Sequence, residues 1–390
     1  MKIIDLSPYW VCPPNGGGPI RIYNLNKEIS KEFEVVQVSF RARMTSEKNL
    51  RGNTLKINDN YSEYQFFNIP VMLSSYILYK LNLPYDIFQS SILNKFKYSN
   101  EKEFDADIVQ IEHPWLFDFA YKQFNEKPII FTAHNVEYVL IEDLIQKKAP
   151  FFKNILPKVK ELEKRALEKS DLIFTVSYDD LKIFNKSFKI EKEKMRVIPN
   201  GVDCSKYEIT TQNERNNFKR KLGLPLKKIV LFIGSDHYPN KEAITFIKKF
   251  SEVNKDIAFL IVGAAGRNME NTRNVFFTGY VDNLKQYIKA SDIAINPLVS
   301  GSGTNLKMLE YLAAGLPTIT TQIGNRGLDL RDKKEVIVSD LDRFPECINQ
   351  VVGDQEQYQK LSINGRERVE EKYDWKVIAR EAMDCYWEFF

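Results

Sequence analysis

The sequence predicts an α/β protein made of two Rossmann-like domains, and three observations carry that prediction. Short apolar, β-branched runs recur along the chain, with amphipathic stretches between them. A P-N-G turn at 199–201, followed by the charged stretch 213–221, separates two such series. Small and polar residues gather just after several runs, at the carboxyl ends of strands, where open parallel sheets bind ligands.

At 390 residues the chain is long enough for two domains, each with an apolar core. Its 43% hydrophobic and 28% charged residues argue against disorder. Lys and Arg number 56 against 52 acidic residues, and a net charge of +4 is too small to argue for nucleic acid. Cys12, Cys204, Cys347 and Cys385 lie far apart with no C-x-x-C pair, which speaks against a disulfide framework or a zinc site. Residues 1–10 lack the pattern of a secretory signal, and no run reaches the ~18 apolar residues of a membrane span. A cytoplasmic protein is expected, at most peripheral at the inner face of a membrane.

In the first series, strands are expected over residues 2–6, 35–40, 107–111, 129–132, 172–176 and 196–198. In the second they fall at 229–233, 257–262, 275–278, 293–296, 318–320 and 336–338. Several are continuous rather than alternating, the pattern of strands covered on both faces. Helical patterns between them imply βαβ units and parallel sheets. Residues 41–100, rich in Asn, Ser, Tyr and Lys, yield no assignment. The first domain is expected over 1–205 and the second over 206–374, with the aromatic helical stretch 375–390 returning to the first.

The strand-end residues include Gly16, Gly17, Gly18, Gly234, Ser235, Gly263 and Gly279. Any one glycine there reads first as a turn residue, whereas several on one rim point to a phosphate-bearing ligand. The most informative segment is NPLVSGSGTNLKMLEYLAAGLPTITT at 296–321. A strand ends, a Gly/Ser loop follows, and a helix is expected to start near Thr304. Its unpaired N–H groups and positive dipole end suit a diphosphate. Glu310, two turns along, would accept hydrogen bonds from ribose hydroxyls; taken alone it is an ordinary helix-surface charge.

This segment resembles the donor-binding motif of the retaining GT-B glycosyltransferases of family 4, where two spaced glutamates precede a small-residue helix, Gly and Pro, as in EYLAAGLP from Glu310. Other pieces follow the family's order: PPNGGGPIR, FTAHNVE, VIPNGVD, FIGSDHYPNKEAI, IVGAAG and FFTGYVDNLKQYIKASDIAINP. The resemblance implies a GT-B fold, two Rossmann-like domains facing each other across a cleft. It also implies a hexosyltransferase that retains anomeric configuration and uses a UDP- or GDP-linked sugar, with no cofactor or metal. The acceptor would be a carbohydrate or lipid-linked saccharide in cell-envelope polysaccharide or glycolipid synthesis.

Carried onto this sequence, the resemblance assigns Glu310 to the ribose and the amides of Gly303, Thr304, Asn305 and Leu306 to the phosphates. Gly17 and Gly18 let the first domain's backbone approach the diphosphate, and Gly234, Ser235 and Gly263 form donor-side turns. Tyr280 and Val281 stand where the family holds the base. His134 matches a histidine bordering the transferred sugar and acceptor; a helix cap or a buried imidazole is its other reading. Eight positions before Glu310 stands Ser302, so the first glutamate of the pair is absent. Ser235 replaces the first member of the family's basic pair, which leaves Lys241 for the departing phosphate and Lys307 or Arg21 for a second charge. His134 and Lys241 are therefore the catalytic candidates, and His113 is expected to line the acceptor cleft.

Three further features bear on function. Asp105 and Asp107 match a D-x-D metal pattern but precede their strand, away from the functional rim, so no metal is expected. His237 is expected to be solvent-exposed on a donor-side loop. The stretch 146–169 interleaves Phe151, Phe152, Ile155 and Leu156 with Lys147, Lys148, Lys153, Lys158 and Lys160; it reads equally as an anionic-membrane contact or a solvated helix face. A nucleotide-sugar epimerase and a non-catalytic nucleotide-sugar-binding subunit remain as alternatives. An NAD enzyme is disfavoured, because no G-x-G-x-x-G with a following acid occurs after the first strand.

Overall fold

The computed structural model describes residues 1–40, 53–66, 73, 77, 105–148, 150–301 and 303–390. Every strand expected from the sequence is present, its ends moved by one residue at most. The chain divides into two compact units, Met1–Pro199 with Ile378–Phe390, and Asn200–Val377. The expected boundaries were 205 and 375.

The first unit holds an eight-stranded sheet in the order β3-β4-β2-β1-β5-β6-β7-β8. Its strands are β1 (Lys2–Ser7), β2 (Glu34–Phe40), β3 (Asn53–Lys56), β4 (Tyr61–Phe66), β5 (Ile108–Glu112), β6 (Ile129–Ala133), β7 (Leu172–Thr175) and β8 (Met195–Val197). All pair in parallel except β3 with β4. Strands β3 and β4 lie within 41–100, the stretch whose composition yields no assignment. The closing segment Ile378–Phe390 packs in this unit, where the Tyr386 hydroxyl donates to Gln110 Oε1 at 2.7 Å.

The second unit holds a six-stranded parallel sheet, β11-β10-β9-β12-β13-β14. Here β9 is Ile229–Ile233, β10 Ala258–Val262, β11 Val275–Phe277, β12 Ile293–Asn296, β13 Thr318–Thr320 and β14 Ile337–Val338. This is the doubly wound Rossmann order, whose direction reverses between β9 and β12 and opens a crevice at their carboxyl ends. Successive residues of β9 point to opposite faces. Leu231 joins a core with Met308, Leu309 and Tyr311, whereas Val230 and Phe232 join Ala243, Ile244 and Ile247 on the other face. Each such side chain, removed from water, contributes about 1.5–3 kcal/mol.

The helix Leu306–Ala313 buries Met308, Leu309, Tyr311 and Leu312. It stops where Gly315 adopts φ 66°, a left-handed conformation that favours glycine at a helix end, and Pro317 prevents continuation. The Ile233 amide donates to the Tyr311 hydroxyl at 2.7 Å, tying this helix to the carboxyl end of β9.

Candidate functional site

A cavity of about 340 Å³ opens at the switch point of the second unit. Ile233 and Ser235 reach it from the end of β9, and Leu298, Ser300 and Gly301 from the loop after β12. Thr304, Asn305, Leu306, Lys307 and Glu310 come from the helix start, and Ile323 and Arg326 from the loop after β13. The loop after β12 needs its glycines: Gly301 has φ 117° and Gly303 φ 73°, values L side chains rarely adopt. Ser302 lies outside the described residues.

The helix begins at Leu306, two residues later than expected, so Glu310 sits about one turn in rather than two. Its N-cap, Asn305, makes no side-chain cap hydrogen bond and instead donates to the Gly324 carbonyl at 3.0 Å. Backbone N–H groups left over at such a start attract anions. Glu310 accepts a hydrogen bond from the Tyr207 hydroxyl at 3.0 Å. Burial raises its pKa, against the opposing effects of Tyr207 and Lys307.

Lys307 is half-buried, its ammonium 4.4 Å from the centre of the Phe232 ring and 2.7 Å from Asn240 Oδ1. Desolvation there pulls its pKa down to about 7, with Glu310 acting the other way. Asn240 in turn donates to the Ser235 carbonyl at 3.1 Å and to its hydroxyl at 3.2 Å, which links the loop after β9 to the helix. On the other wall the Ser300 hydroxyl donates to Glu242 at 2.9 Å.

The first unit has a polar cluster at its own switch point, between β1 and β5. The His113 and His134 rings stack with centroids 4.2 Å apart. Glu137 Oε1 lies 2.8 Å from His113 Nδ1, and the Tyr9 hydroxyl lies 2.8 Å from its Nε2. His134 Nε2 bonds Glu112. Burial drives the His134 imidazole down to about 4, and His113 adds to the fall against the pull of Glu112. Glu163 accepts from the amides of Glu137, at 2.6 Å, and Tyr138, at 3.2 Å, securing the start of the helix Glu137–Lys148. Burial, and then Glu137, push its carboxyl up to about 8.

Of the residues singled out in the sequence, Ser235, Thr304, Asn305, Leu306, Lys307 and Glu310 line one cavity, as does His237. Gly234 and Gly263 stand behind it. A Cβ on Gly263, at φ 108°, would come within 2.4 Å of the Gly234 carbonyl oxygen, so the loops after β9 and β10 meet only through glycine. Gly17 opens the helix Gly17–Ile29, and a Cβ on Gly18 would fall 2.1 Å from the Tyr9 hydroxyl. Tyr9 therefore gives Gly18 a packing reason of its own.

One expectation, that of Arg21, is corrected, and the remaining candidates are placed by their contacts. Arg21 is not a phosphate cation: it is 1% exposed, and its guanidinium donates to the carbonyls of Ile198, at 2.6 Å, and Pro199, at 2.5 Å. Burial lowers its pKa to about 10. Lys241 does not line the cavity; its ammonium is paired with Asp236 at 2.5 Å in solvent. Tyr280 is 76% exposed and Val281 packs against the core, and neither lines the cavity. Asp105 and Asp107 are engaged elsewhere, with Lys127 at 3.1 Å and the Lys2 amide at 2.8 Å.

Asn240, Ser300, Tyr9, Glu137 and Arg326 carry no motif signal that marks them as site residues, Arg326 excepted. A signal existed for Arg326, since the I-G-N-R-G turn after β13 has the same strand-then-glycine form as the loops that were chosen.

Residues 15–206 match the family model "Glycosyltransferase Family 4", and residues 227–354 match "Glycosyl transferases group 1". The glycosyltransferase MJ1607 of Methanocaldococcus jannaschii is 24% identical over 304 residues, 72% of this chain and 75% of its own. A GDP-mannose-dependent monoacylated alpha-(1-6)-phosphatidylinositol monomannoside mannosyltransferase of Corynebacterium glutamicum is 24% identical over 246 residues, 58% of this chain and 64% of its own. Among solved structures, sucrose-phosphate synthase from Thermosynechococcus elongatus superposes with a TM-score of 0.75 at 16% identity, covering 100% of this chain and 99% of its own. HepE from Anabaena in complex with UDP-glucose gives 0.66 at 14% identity, with full coverage of both.

Proposed function

This chain belongs to the GT-B glycosyltransferases of the family 4 type, and from that premise we propose that it moves a hexosyl group from a UDP- or GDP-linked sugar to an acceptor hydroxyl with retention of configuration. The observation that carries the proposal is the cavity at the β9/β12 switch point, with an uncapped helix start at one side and the Glu310 carboxylate inside. The diphosphate lies against the N–H groups of Thr304 to Leu306, near Lys307, and the ribose hydroxyls donate to Glu310. A UDP-glucose complex of HepE and the GDP-mannose dependence of the mannosyltransferase support a donor of this class.

In the reaction the bond between anomeric carbon and phosphate oxygen breaks as the acceptor oxygen bonds to the same face of that carbon. The departing phosphate takes the acceptor's proton, so no separate base is needed, and no metal or cofactor is invoked. Positive charge fixed at the leaving oxygens stabilises the transition state, as preorganised electrostatics do generally. Acceptor recognition is assigned to the first unit, where His134 is neutral at pH 7 and held by Glu112. We place the enzyme in the cytoplasm, at the inner face of a membrane, acting on a lipid-linked saccharide for envelope glycolipid or polysaccharide. The phosphatidylinositol-linked acceptor of the mannosyltransferase and the exposed aromatic–lysine surface near Phe151 support that placement.

Thermal-shift screening with UDP- and GDP-sugars tests the donor assignment. A ligand at 100 times its Kd stabilises by about 2.7 kcal/mol. Glu310→Ala should abolish the shift while unfolding with the same cooperativity. A full shift in that variant would remove Glu310 from the ribose.

A further inference from the structure

We propose that Arg326, on the loop after β13, is the permanent cation that binds the donor's diphosphate, in place of the basic residue that the sequence lacks at Ser235. The inference rests on the donor reading above and deepens it.

Arg326 lines the same cavity as Thr304, Lys307 and Glu310. Its Nη2 donates to the carbonyls of Gly301, at 2.8 Å, and Gly303, at 3.2 Å. Among the described residues Nε and Nη1 bond nothing, so the guanidinium keeps donors for a ligand. Covering these two carbonyls also screens the partial negative charges that the loop after β12 would otherwise present to an anion.

The loop carrying Arg326 is held rather than loose. Asn296 Nδ2, at 3.2 Å, and Asn305 Nδ2, at 3.0 Å, both donate to the Gly324 carbonyl, and the Thr321 hydroxyl donates to the Leu298 carbonyl. A Cβ on Gly324 would meet the Thr320 hydroxyl at 2.3 Å and the Asn296 amide at 2.7 Å, so the loop sits directly on the ends of β12 and β13. A guanidinium anchored in this way is positioned before the ligand arrives, which is the condition for an effective site.

The other cations do not supply lasting charge here. Lys241 is paired with Asp236 outside the cavity, Arg21 is buried in the first unit, and burial leaves Lys307 only partly protonated near neutral pH. An arginine keeps its charge throughout the physiological range and presents a fork matched to phosphate oxygens.

Calorimetric titration with UDP and GDP, and with uridine and guanosine, tests the role. Wild type should bind the diphosphate of its base more tightly than the nucleoside. R326A should weaken the diphosphate about 10- to 100-fold, the usual loss for a charged hydrogen bond, and leave the nucleoside unchanged. R326K, which keeps charge without the fork, should recover part of that preference. If R326A keeps the wild-type ratio of diphosphate to nucleoside affinity, the inference is overturned; an equal loss for both, the signature of a residue that only holds the loop, overturns it too. Should R326A fail to fold, R326Q and R326K decide on the same ratio. A wild type that binds neither nucleotide removes the donor reading itself, whereas binding that is lost in Glu310→Ala but untouched in R326A removes only the role of Arg326.

Discussion

Lys307 shows how position alters a side chain's chemistry. Against Phe232 its ammonium titrates at about 7, below the ordinary lysine value of 10.5. Between those two values the unfolded chain binds a proton that the folded chain does not, so stability rises with pH across that window, and the full burial penalty is present below it. Lys307→Met should therefore raise the melting temperature near pH 6, with the gain shrinking toward pH 10; a gain independent of pH would show that the ammonium is not desolvated. The resemblance offered Lys307 as a second charge for the departing phosphate, but its neighbours Phe232 and Asn240 lie on a strand and helix some seventy residues earlier and were not legible. Arg21 failed for the same reason in reverse, since its partners Ile198 and Pro199 are far along the chain.

At the level of elements, the helix Gln212–Lys221 and the start of β12 depend on one buried charge. Asp292 is fully buried and accepts from Lys219 at 2.6 Å, Lys228 at 3.2 Å and the Ile229 amide at 2.9 Å. Lys219 is itself buried, so Asp292→Ala leaves an ammonium with no counterion and should cost about 3–5 kcal/mol, read as a fall in the urea midpoint of the second unit. A loss under 1 kcal/mol would mean that water reaches Lys219. The strands were legible because continuous β-branched runs are local signals. Strand β4 was not, because its buried Glu63 reads as a surface residue until the amides of Val11, at 2.7 Å, and Cys12, at 2.8 Å, are seen donating to it. The helix start near Thr304 was legible through its glycines and lost two residues to the same loop.

For the molecule as a whole, two sheets were legible from one turn signal and a repeated strand–helix alternation. The return of Ile378–Phe390 was only suggested by its aromatic content, because its partners, such as Gln110 and Arg196, are nearly two hundred residues or more away. The aromatic–lysine composition of 146–169 was legible as either a membrane contact or a solvated face, and within it the 3-10 helix Pro150–Ile155 buries none of its residues. Phe151 is 93% exposed there, beside exposed Lys153 and Lys158, although Lys160 lies over the Tyr138 ring. No helix among the described residues is long and apolar enough to cross a membrane. Vesicles rich in phosphatidylserine should sediment the protein at low salt and release it at high salt, with Phe151→Ser weakening the association; indifference of the wild type to such vesicles at low salt would end the membrane reading.

The chain leaves the first unit after Pro199 and comes back to it at Ile378, and the two passages run side by side: the Val202 amide donates to the Tyr373 carbonyl at 2.8 Å, and the Trp375 amide to the Val202 carbonyl at 3.2 Å. A protease that clips the polypeptide at either passage does not thereby set the halves adrift. After a cut at 199/200, the tail beyond Ile378 stays moored to the first unit through Tyr386 and Glu388; after a cut at 377/378, the other passage is still unbroken backbone.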